Sequence, residues 1–326
     1  MKEPVNILIT AASRRVALIR SFTDALEKMK IKGNVIASDV DPFSAGLAFC
    51  RKHVIVPLSS SPEYINEIKR LCANEDISLI IPTIDEELPL FGKHKQEFEE
   101  LGVRVLVSNE DTGNICNDKH LTYNFLIKQG FPIAETWLPN EIEKTDPEFP
   151  LFIKPRFGRG AISAYPVKSR RELDFFLDYV ENPVVQRFLP GDEYTVDVLA
   201  DFEGNIISVV PRQRLVIRAG VSDRGRTSKN QELIEISTKI AKALDIVGPA
   251  NLQCKIDKGK ITFFEINPRF SGAIQLTIRS GADFPRMIIK MLNGGITPRI
   301  GDFEDNLTMV SYEESIYHPE SEKNDH

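Results

Sequence analysis

The four cysteines of this 326-residue chain lie at positions 50, 72, 116 and 254 and form no CxxC pair. This scatter excludes a small disulfide framework and a zinc-ligand spacing, and it is typical of reduced thiols in the cytoplasm. No apolar run approaches the roughly 20 residues that span a bilayer. The apolar part of MKEPVNILITAASRR is too short for a signal peptide and is typical of a strand. These absences predict a cytoplasmic protein with no membrane partner.

Two glycine-rich nucleotide motifs are also missing. The first predicted strand ends in TAASRR, where a dinucleotide-binding fold carries GxGxxG. Without glycines, the backbone cannot approach a pyrophosphate closely. The P-loop pattern GxxxxGK[ST] is absent as well. The net charge of −6 argues against nonspecific nucleic-acid binding. The N-terminal region is therefore expected to be a scaffold, and no nucleic-acid partner is expected.

Residues 1–112 alternate between strand-like and helix-like segments. Apolar runs typical of buried strands are VNILIT, NVIASDV, HVIVPL, SLIIPT and VRVLVS. The segments between them show helical spacing, as in Ile65, Ile68, Leu71 and Cys72. This order predicts a small open parallel α/β sheet with crossover helices.

After residue 112 the pattern becomes one of hairpins and amphipathic helices. FPLFIKP and AISAYPV are predicted to pair as strands, and NLQCKID and ITFFEINPRF are predicted to form a hairpin. Ser228 and Gln231 have the spacing of a capping box, which predicts the start of a helix. The expected fold is α/β followed by α+β, divided into domains at 1–112, 113–187 and 188–326.

The stretch FFEINPRFSG, residues 263–272, places three polar side chains on alternate positions of an apolar strand. Glu265, Asn267 and Arg269 should share one face, because side chains two residues apart in a strand point the same way. Gln253 lies on the neighbouring strand of the hairpin. Gln253, Glu265 and Asn267 supply the oxygen ligands that magnesium takes beside phosphate oxygens. The alternative is a polar hairpin that faces solvent.

Two further segments carry weaker signals. In FIKPRFGRGAIS, Lys154 ends an apolar strand, and glycines at 158 and 160 alternate with arginines at 156 and 159. Such a loop can wrap a phosphate with backbone N–H groups, although a flexible turn has the same composition. In QRFLPGDE, the strand edge at 186–189 can offer backbone groups to a flat base, and Glu193 follows within reach of ribose hydroxyls.

Together these segments resemble the ATP-grasp superfamily, and they are most similar to a single ATP-grasp unit of the carbamoyl-phosphate synthetase large subunit. The ordered matches are DK at 118–119, FIKP with its glycine loop at 152–163, QRFLPGDE at 186–193, Gln253, and EINPR at 265–269. The resemblance implies a Rossmann-like pre-ATP-grasp domain over 1–112. It also implies a small lobe with a glycine-rich lid over 113–187 and a large lobe with the metal and substrate sites over 188–326.

The resemblance also implies a role for each matched position. Residues implied to bind ATP are Lys119, Lys154, Arg156, Gly158, Arg159, Gly160, Gln186, Arg187, Phe188, Leu189 and Glu193. One or two Mg²⁺ ions would be held by Gln253, Glu265 and Asn267, and the catalytic residues would be Lys154 and Arg269. Many relatives carry glutamate at positions 186 and 253, so the neutral Gln253 puts a second metal ion in doubt.

The implied reaction is that of an ATP-dependent carboxylate–amine ligase. A small anionic carboxylate would be activated as an acyl phosphate, with release of ADP and phosphate. The arginine-rich segment 212–230 suits such an anion, although a solvated turn has the same charges. The predicted substrate residues are Arg212, Arg218, Arg226 and Arg279.

Several alternatives stay open at this stage. They are a carboxylate–thiol ligase, a carbamoyl-phosphate-synthetase-like enzyme, an ATP-binding protein without turnover, and a nucleic-acid-binding protein. Synthesis of carbamoyl phosphate is not expected, because the sequence shows one ATP-grasp unit and no glutaminase region. The net acidity and the lack of interleaved aromatic residues disfavour a nucleic-acid-binding protein. Whether the chain forms a homodimer is also left open.

Overall fold

The N-terminal part of the chain forms a parallel sheet. The structure is a computed structural model and describes residues 4–317. The strands are β1 (Asn6–Ile9), β2 (Val35–Asp39), β3 (Lys52–Ile55), β4 (Ile77–Ile81) and β5 (Arg104–Val105), in the order β3-β2-β1-β4-β5. The helices are α1 (Val16–Lys28), α2 (Tyr64–Asn74), α3 (Leu88–Lys93) and α4 (Lys95–Glu100). The predicted open parallel α/β fold is confirmed.

A four-stranded antiparallel sheet follows. Helices α5 (Glu110–Asn117) and α6 (Lys119–Lys128) lead into it. Its strands are β6 (Thr136–Trp137), β7 (Leu151–Pro155), β8 (Tyr165–Val167) and β9 (Pro183–Arg187), in the order β6-β9-β7-β8, with helices α7 (Pro139–Ile142) and α8 (Arg170–Tyr179). The predicted strand pair around the glycine-rich loop is therefore confirmed as β7 and β8.

The remaining elements build a six-stranded sheet. Its strands are β10 (Asp192–Ala200), β11 (Ile206–Arg218), β12 (Val221–Thr227), β13 (Gly248–Asp257), β14 (Lys260–Asn267) and β15 (Thr308–Val310). Their order is β14-β13-β10-β11-β12-β15. The helices are α9 (Gln231–Ala243), α10 (Ile274–Arg279) and α11 (Phe284–Leu292). The predicted hairpin is confirmed as β13 and β14, whose strands pair antiparallel.

The predicted capping box at the start of α9 is wrong. The residue that caps this helix is Asn230, whose side chain accepts a hydrogen bond from the Leu233 N–H at 2.9 Å. Ser228 instead donates its own N–H to the Pro211 carbonyl at 3.0 Å. The chain is thus still bound to β11 at Ser228, and the helix begins two residues later than the capping-box pattern places it.

The parallel sheet is covered on both faces, as its continuous apolar strands require. Ile7 and Ile9 of β1 share a buried cluster with Val196 and Val198 of β10. Leu8 points to the opposite face and joins a second cluster. The N-terminal sheet and the six-stranded sheet therefore share one core, and the four-stranded sheet has its own. Each of the three proposed domains contains one sheet. Their bounds stay a proposal, and residues 1–3 and 318–326 at the two ends lie outside the described part.

Within residues 4–317, no helix combines the length and the apolar character needed to cross a bilayer.

A buried carboxyl group lies near the carboxyl edge of the parallel sheet. Glu87 is 2% exposed, accepts a hydrogen bond from the Thr10 hydroxyl at 2.6 Å, and accepts another from the Tyr64 hydroxyl. Burial raises the pKa of Glu87 to about 7, although both hydrogen bonds oppose the rise. The pKa in the unfolded chain is about 4.3. The folded state therefore favours the protonated form.

The stability contributed by this protonation should be present in full below pH about 4 and lost as the pH rises through 7. The pKa difference corresponds to about 4 kcal/mol at most. We expect urea unfolding of Glu87→Gln to lack this decline between pH 5 and pH 8, whereas Glu63→Gln, an exposed control in the same domain, should retain it. A wild-type slope in Glu87→Gln would contradict the assignment.

Candidate functional site

The β13–β14 hairpin brings the predicted metal ligands together. Gln253 and Glu265 are directly paired across the two strands. Asn267 donates its Nδ2–H to Glu265 Oε1 at 3.0 Å, and Arg269 donates to Asn267 Oδ1 at 3.3 Å. The alternate residues 265, 267 and 269 therefore do share one face. Asn267 and Arg269 are buried and Glu265 is half-buried, so the hairpin is not a purely solvent-facing surface.

The donor set fits a magnesium ion that is also held by phosphate oxygens. Gln253, Glu265 and Asn267 offer oxygen ligands only, which suits Mg²⁺. Glu265 is the single carboxylate among them. Among residues 4–317, no group of three or more His, Cys, Asp or Glu side chains is placed to hold a metal. A metal bound here would therefore depend on the nucleotide for much of its negative charge.

Arg269 is held by a residue that the sequence pattern did not single out. Its Nε and Nη2 atoms donate to the two carboxylate oxygens of Asp85 at 2.9 and 2.7 Å. Asp85 lies four residues after the end of β4, at the carboxyl edge of the parallel sheet. Burial alone would lower the pKa of Arg269, but the Asp85 charge raises it overall. Because this fork-to-fork pair fixes the guanidinium plane, the N-terminal domain orients the predicted catalytic arginine.

Two buried lysines approach the same region from the four-stranded sheet and from α6. Lys154 Nζ donates to the Phe264 carbonyl at 3.4 Å, which places it beside Glu265. Burial lowers the pKa of Lys154 to about 8; the charge of Glu265 opposes this shift, and Lys119 adds to it. Lys119 Nζ donates to the Gly158 carbonyl at 2.9 Å. The two lysine amines therefore lie beside the predicted metal ligands of the β13–β14 hairpin, as the resemblance implies for a triphosphate site.

The glycine-rich loop is anchored by ion pairs at both of its arginines. Arg156 donates to both Asp118 oxygens at 2.9 Å, and Asp118 also caps α6. Arg159 pairs with Glu86 of the N-terminal domain. The loop backbone between and beyond them is exposed. Both guanidinium groups therefore have partners in the protein, and phosphate contacts would fall mainly to the backbone N–H groups near Gly158 and Gly160.

A close approach between two glycines joins this loop to the six-stranded sheet. A Cβ atom on Gly220, at the tip of the β11–β12 hairpin, would lie 2.9 Å from the carbonyl carbon of Gly160. Gly220 also has a φ of +74°. Any other residue at 220 would push the loop away, so the hairpin tip and the predicted lid fit together only with glycine there.

The predicted adenine and ribose positions lie where the chain crosses from β9 to β10. The Gln186 side chain is buried and donates to Thr136 Oγ1 at 2.9 Å, and Arg187 pairs with Glu135 at 2.9 Å. Phe188 and Leu189 follow in the connection, and Lys255 Nζ lies 5.5 Å from the Phe188 ring centre. Strand β9 pairs with β6 and β7, and the Arg187 N–H donates to the Glu135 carbonyl at 2.9 Å. Residues 188 and 189 lie beyond this pairing, so they are the part of 186–189 whose backbone could meet a base edge, and the adenine role of the segment stays a prediction.

Arg214 is a site residue that was not assigned from the sequence. Its Nη1 donates to Glu193 Oε1 at 2.6 Å and lies 3.5 Å from Gln253 Oε1. Its Nη2 donates to the Gly220 carbonyl at 2.6 Å. Arg214 therefore connects the predicted ribose acid, a predicted metal ligand and the hairpin tip. The sequence does hold a signal for it, since alternation along β11 places positions 212 and 214 on one face.

The four predicted substrate arginines are not brought together. Arg212 is 1% exposed and makes a bidentate pair with Asp197 at 2.7 and 3.1 Å. Arg226 bonds Gln213, which puts it on the opposite face of the sheet. Arg218 pairs with Glu313 near the end of the described chain, and Arg279 is exposed on α10. The strand alternation of β11 and β12 separates residues that are close in sequence.

Two family profiles and several known proteins match this chain. Residues 180–315 match the profile of the family described as ATP-grasp in the biosynthetic pathway with Ter operon. Residues 7–106 match the PylC-like N-terminal domain. The carbamoyl phosphate synthase large chain of Archaeoglobus fulgidus is 22% identical over 273 residues, which are 77% of this chain and 25% of that protein. The chain thus spans about a quarter of the length of this relative.

Two solved structures share the fold. The biotin carboxylase of Campylobacter jejuni, in complex with β-γ-ATP, has a TM-score of 0.75 at 17% identity and covers 94% of this chain and 74% of its own. The N5-carboxyaminoimidazole synthetase of Staphylococcus aureus, complexed with ADP, has a TM-score of 0.72 at 14% identity and covers 92% and 80%. Pre-ATP-grasp and ATP-grasp parts follow one another here as predicted: residues 180–315 match an ATP-grasp family, and the chain resembles one ATP-grasp unit of a carbamoyl phosphate synthase large chain.

Proposed function

We propose that the chain is an ATP-dependent ligase that activates a small anionic carboxylate as an acyl phosphate and joins it to an amine. The observation that carries the proposal is the grouping of Lys119, Lys154, Glu265, Asn267 and Arg269 between the three sheets. These side chains bring two amines, a guanidinium and oxygen ligands to one place. Phosphoryl transfer needs mainly this kind of positioning and charge compensation.

Each group has a proposed task. Lys119 and Lys154 neutralise the triphosphate, and Glu193 receives the ribose hydroxyls. Arg269, held in plane by Asp85, faces the γ-phosphate and the incoming carboxylate. Gln253, Glu265 and Asn267 would hold one or two Mg²⁺ ions, which supply further charge neutralisation between the β- and γ-phosphates. The loop from Arg156 to Ser163 excludes water by closing over the phosphates.

The proposed reaction has two bond exchanges. A substrate carboxylate oxygen attacks the γ-phosphorus, and the bond from that phosphorus to the β–γ bridging oxygen breaks, which releases ADP. The amine nitrogen then attacks the acyl carbon. Phosphate leaves with the former carboxylate oxygen, and the nitrogen loses a proton. The residues described above stabilise charge in the first step, and none of them needs to become covalently attached.

The remaining alternatives predict different reaction products. A carboxylate–thiol ligase or a carbamoyl-phosphate-synthetase-like enzyme would share the first step and differ in the second. An ATP-binding protein without turnover would release no ADP. The intact set of lysines, metal ligands and Arg269 favours an active enzyme. We further propose that it acts in the cytoplasm on small molecules.

The fate of an isotopic label tests the acyl-phosphate step. In a screen of carboxylate–amine pairs, we expect ADP to form only with the right carboxylate. With an ¹⁸O-labelled carboxylate, one labelled oxygen should appear in the released phosphate, because the bridging oxygen leaves with phosphorus. Mass spectrometry of the phosphate gives the answer. Formation of AMP and pyrophosphate, or of unlabelled phosphate, would rule this mechanism out.

A further inference from the structure

The glycine-free TAASRR segment forms the first β–α turn. This turn contacts the segment that directly follows strand β14. Arg15 donates from Nη1 to the Ser271 carbonyl at 3.1 Å and from Nη2 to the Thr83 carbonyl at 2.8 Å. Ser271 lies two residues after Arg269, and Thr83 lies two residues before its partner Asp85. Arg15 is therefore a close neighbour of the predicted catalytic arginine, although the two are 254 positions apart in the sequence.

The charges around this contact do not balance. Three guanidinium groups lie at the 269–271 segment. They are those of Arg15 and Arg269 and that of Arg212, which donates to the Ser271 hydroxyl at 2.9 Å. Asp85 is engaged by Arg269 at both oxygens, and Asp197 is engaged in the same way by Arg212. Arg15 has only carbonyl partners. The charge of Asp85 does act on Arg15, but both Asp85 oxygens already accept from Arg269.

Arg15 also retains donors for a ligand. A guanidinium has five N–H groups, and the two carbonyl contacts use two of them. Burial and the nearby Arg269 lower the pKa of Arg15 to about 9, and the charge of Asp85 opposes this shift, so the group is still charged at pH 7. Arg14 is exposed at the next position. The turn that carries both is held by Asp39, whose Oδ2 accepts the Ser13 N–H at 2.6 Å.

We propose that Arg14 and Arg15 form an anion-binding subsite for the substrate of the ligase reaction. This inference rests on the proposed function and deepens it: the substrate carries a second anionic group, a carboxylate or a phosphate, besides the carboxylate activated at Arg269. A partly buried cation whose neighbouring carboxylate is already engaged by another guanidinium is unfavourable. An oxyanion that accepts from a guanidinium fork removes that penalty and is fixed in orientation.

The subsite replaces the arginine cluster expected from the sequence. Of the residues in that cluster, Arg212 is 1% exposed and is paired with Asp197 through Nε and Nη2. Arg14 and Arg15 instead lie at the carboxyl edge of the parallel sheet, where open α/β sheets bind ligands. The acidic groups that border them are Asp39, Asp85, Glu86 and Glu87. Asp39 and Asp85 are engaged as described, Glu86 pairs with Arg159, and Glu87 is buried behind Thr10.

Anion binding can be measured without turnover. The triphosphate site is first filled with Mg²⁺ and a non-hydrolysable ATP analogue. Thermal unfolding is then followed with glutarate, with phosphonoacetate, or with butyrate as the single-charge control, at matched ionic strength. Wild-type protein should be stabilised more by a doubly charged probe than by butyrate. The comparison of glutarate with phosphonoacetate shows whether the second group is a carboxylate or a phosphate.

The variants locate the effect. Arg15→Gln should weaken the apparent affinity for the better dianion by at least about tenfold, the scale of a lost charged hydrogen-bond pair. Because Arg14 is exposed, the Arg14→Gln variant should fold normally. It should weaken the apparent affinity for the dianion by a smaller factor than Arg15→Gln does. Arg70→Gln, an exposed arginine on α2, is the matched control and should bind as the wild type does.

Two outcomes would overturn the subsite: no preference of the wild type for dianions, or undiminished dianion binding in Arg14→Gln and Arg15→Gln. Stabilisation by the ATP analogue alone should be the same in all variants, which separates the subsite from the nucleotide site. If the isotope experiment fails while dianion binding depends on Arg14 and Arg15, the proposed reaction is wrong and the anion site stands. If the isotope experiment succeeds and dianion binding does not depend on Arg14 and Arg15, the proposed reaction stands and the subsite is wrong.

Discussion

Replacement of Lys154 by methionine is expected to lower ATP-dependent turnover by at least about a hundredfold, the scale of losing one preorganised charge at a transition state. The amine is buried, donates to the Phe264 carbonyl at 3.4 Å and interacts with the charge of Glu265. Methionine fills a similar volume and needs no hydrogen-bond partner. The variant should therefore fold.

The pH profile of turnover adds an independent check on Lys154. The positive charge is lost as the pH rises through about 8 in the free protein, so kcat/KM for ATP should fall above that pH. The methionine variant should lack this part of the profile. Lys168→Met, which changes an exposed lysine of the same lobe, is the control and should behave as the wild type. Near wild-type turnover in Lys154→Met would remove Lys154 from its assigned role.

Replacement of Glu265 by glutamine is expected to weaken the magnesium-dependent part of nucleotide binding by at least about tenfold, because Mg²⁺ prefers charged oxygen ligands. The change removes the only carboxylate of the donor set and keeps its shape. A carbonyl oxygen remains to accept the Asn267 N–H, which now donates to Glu265 at 3.0 Å. The hairpin should therefore stay intact, and the loss should be specific to the metal.

Calorimetry with the ATP analogue, with and without Mg²⁺, measures this effect directly. Binding without Mg²⁺ should change little in Glu265→Gln, and the gain from adding Mg²⁺ should largely disappear. Glu203→Gln alters an exposed carboxylate in the turn between β10 and β11 and serves as the control. If Glu265→Gln gains as much affinity from Mg²⁺ as the wild type, the β13–β14 hairpin is not the metal site.

The sequence by itself determined the parallel sheet, two antiparallel strand pairs and the face of the β13–β14 hairpin that carries the polar side chains. Continuous apolar runs predicted the buried parallel strands, and a period of two predicted that residues 265, 267 and 269 share a face. Both are local properties of the chain, because side-chain direction follows from backbone conformation over a few residues. The order of the ATP-grasp segments was equally readable, since each segment carries its own strand, glycine loop or turn.

Only the tertiary structure decided which charges meet. Asp85 and Arg269 are 184 residues apart, and no local pattern pairs them. The expected cluster of arginines at 212–230 came apart because successive strand residues point to opposite faces. Arg214 meets Glu193 and Gln253 through strand pairing within the six-stranded sheet, and Arg15 meets Ser271 through packing of the N-terminal domain against that sheet. Ion pairing depends on distance in space, and the shared core of the N-terminal and six-stranded sheets sets that distance here.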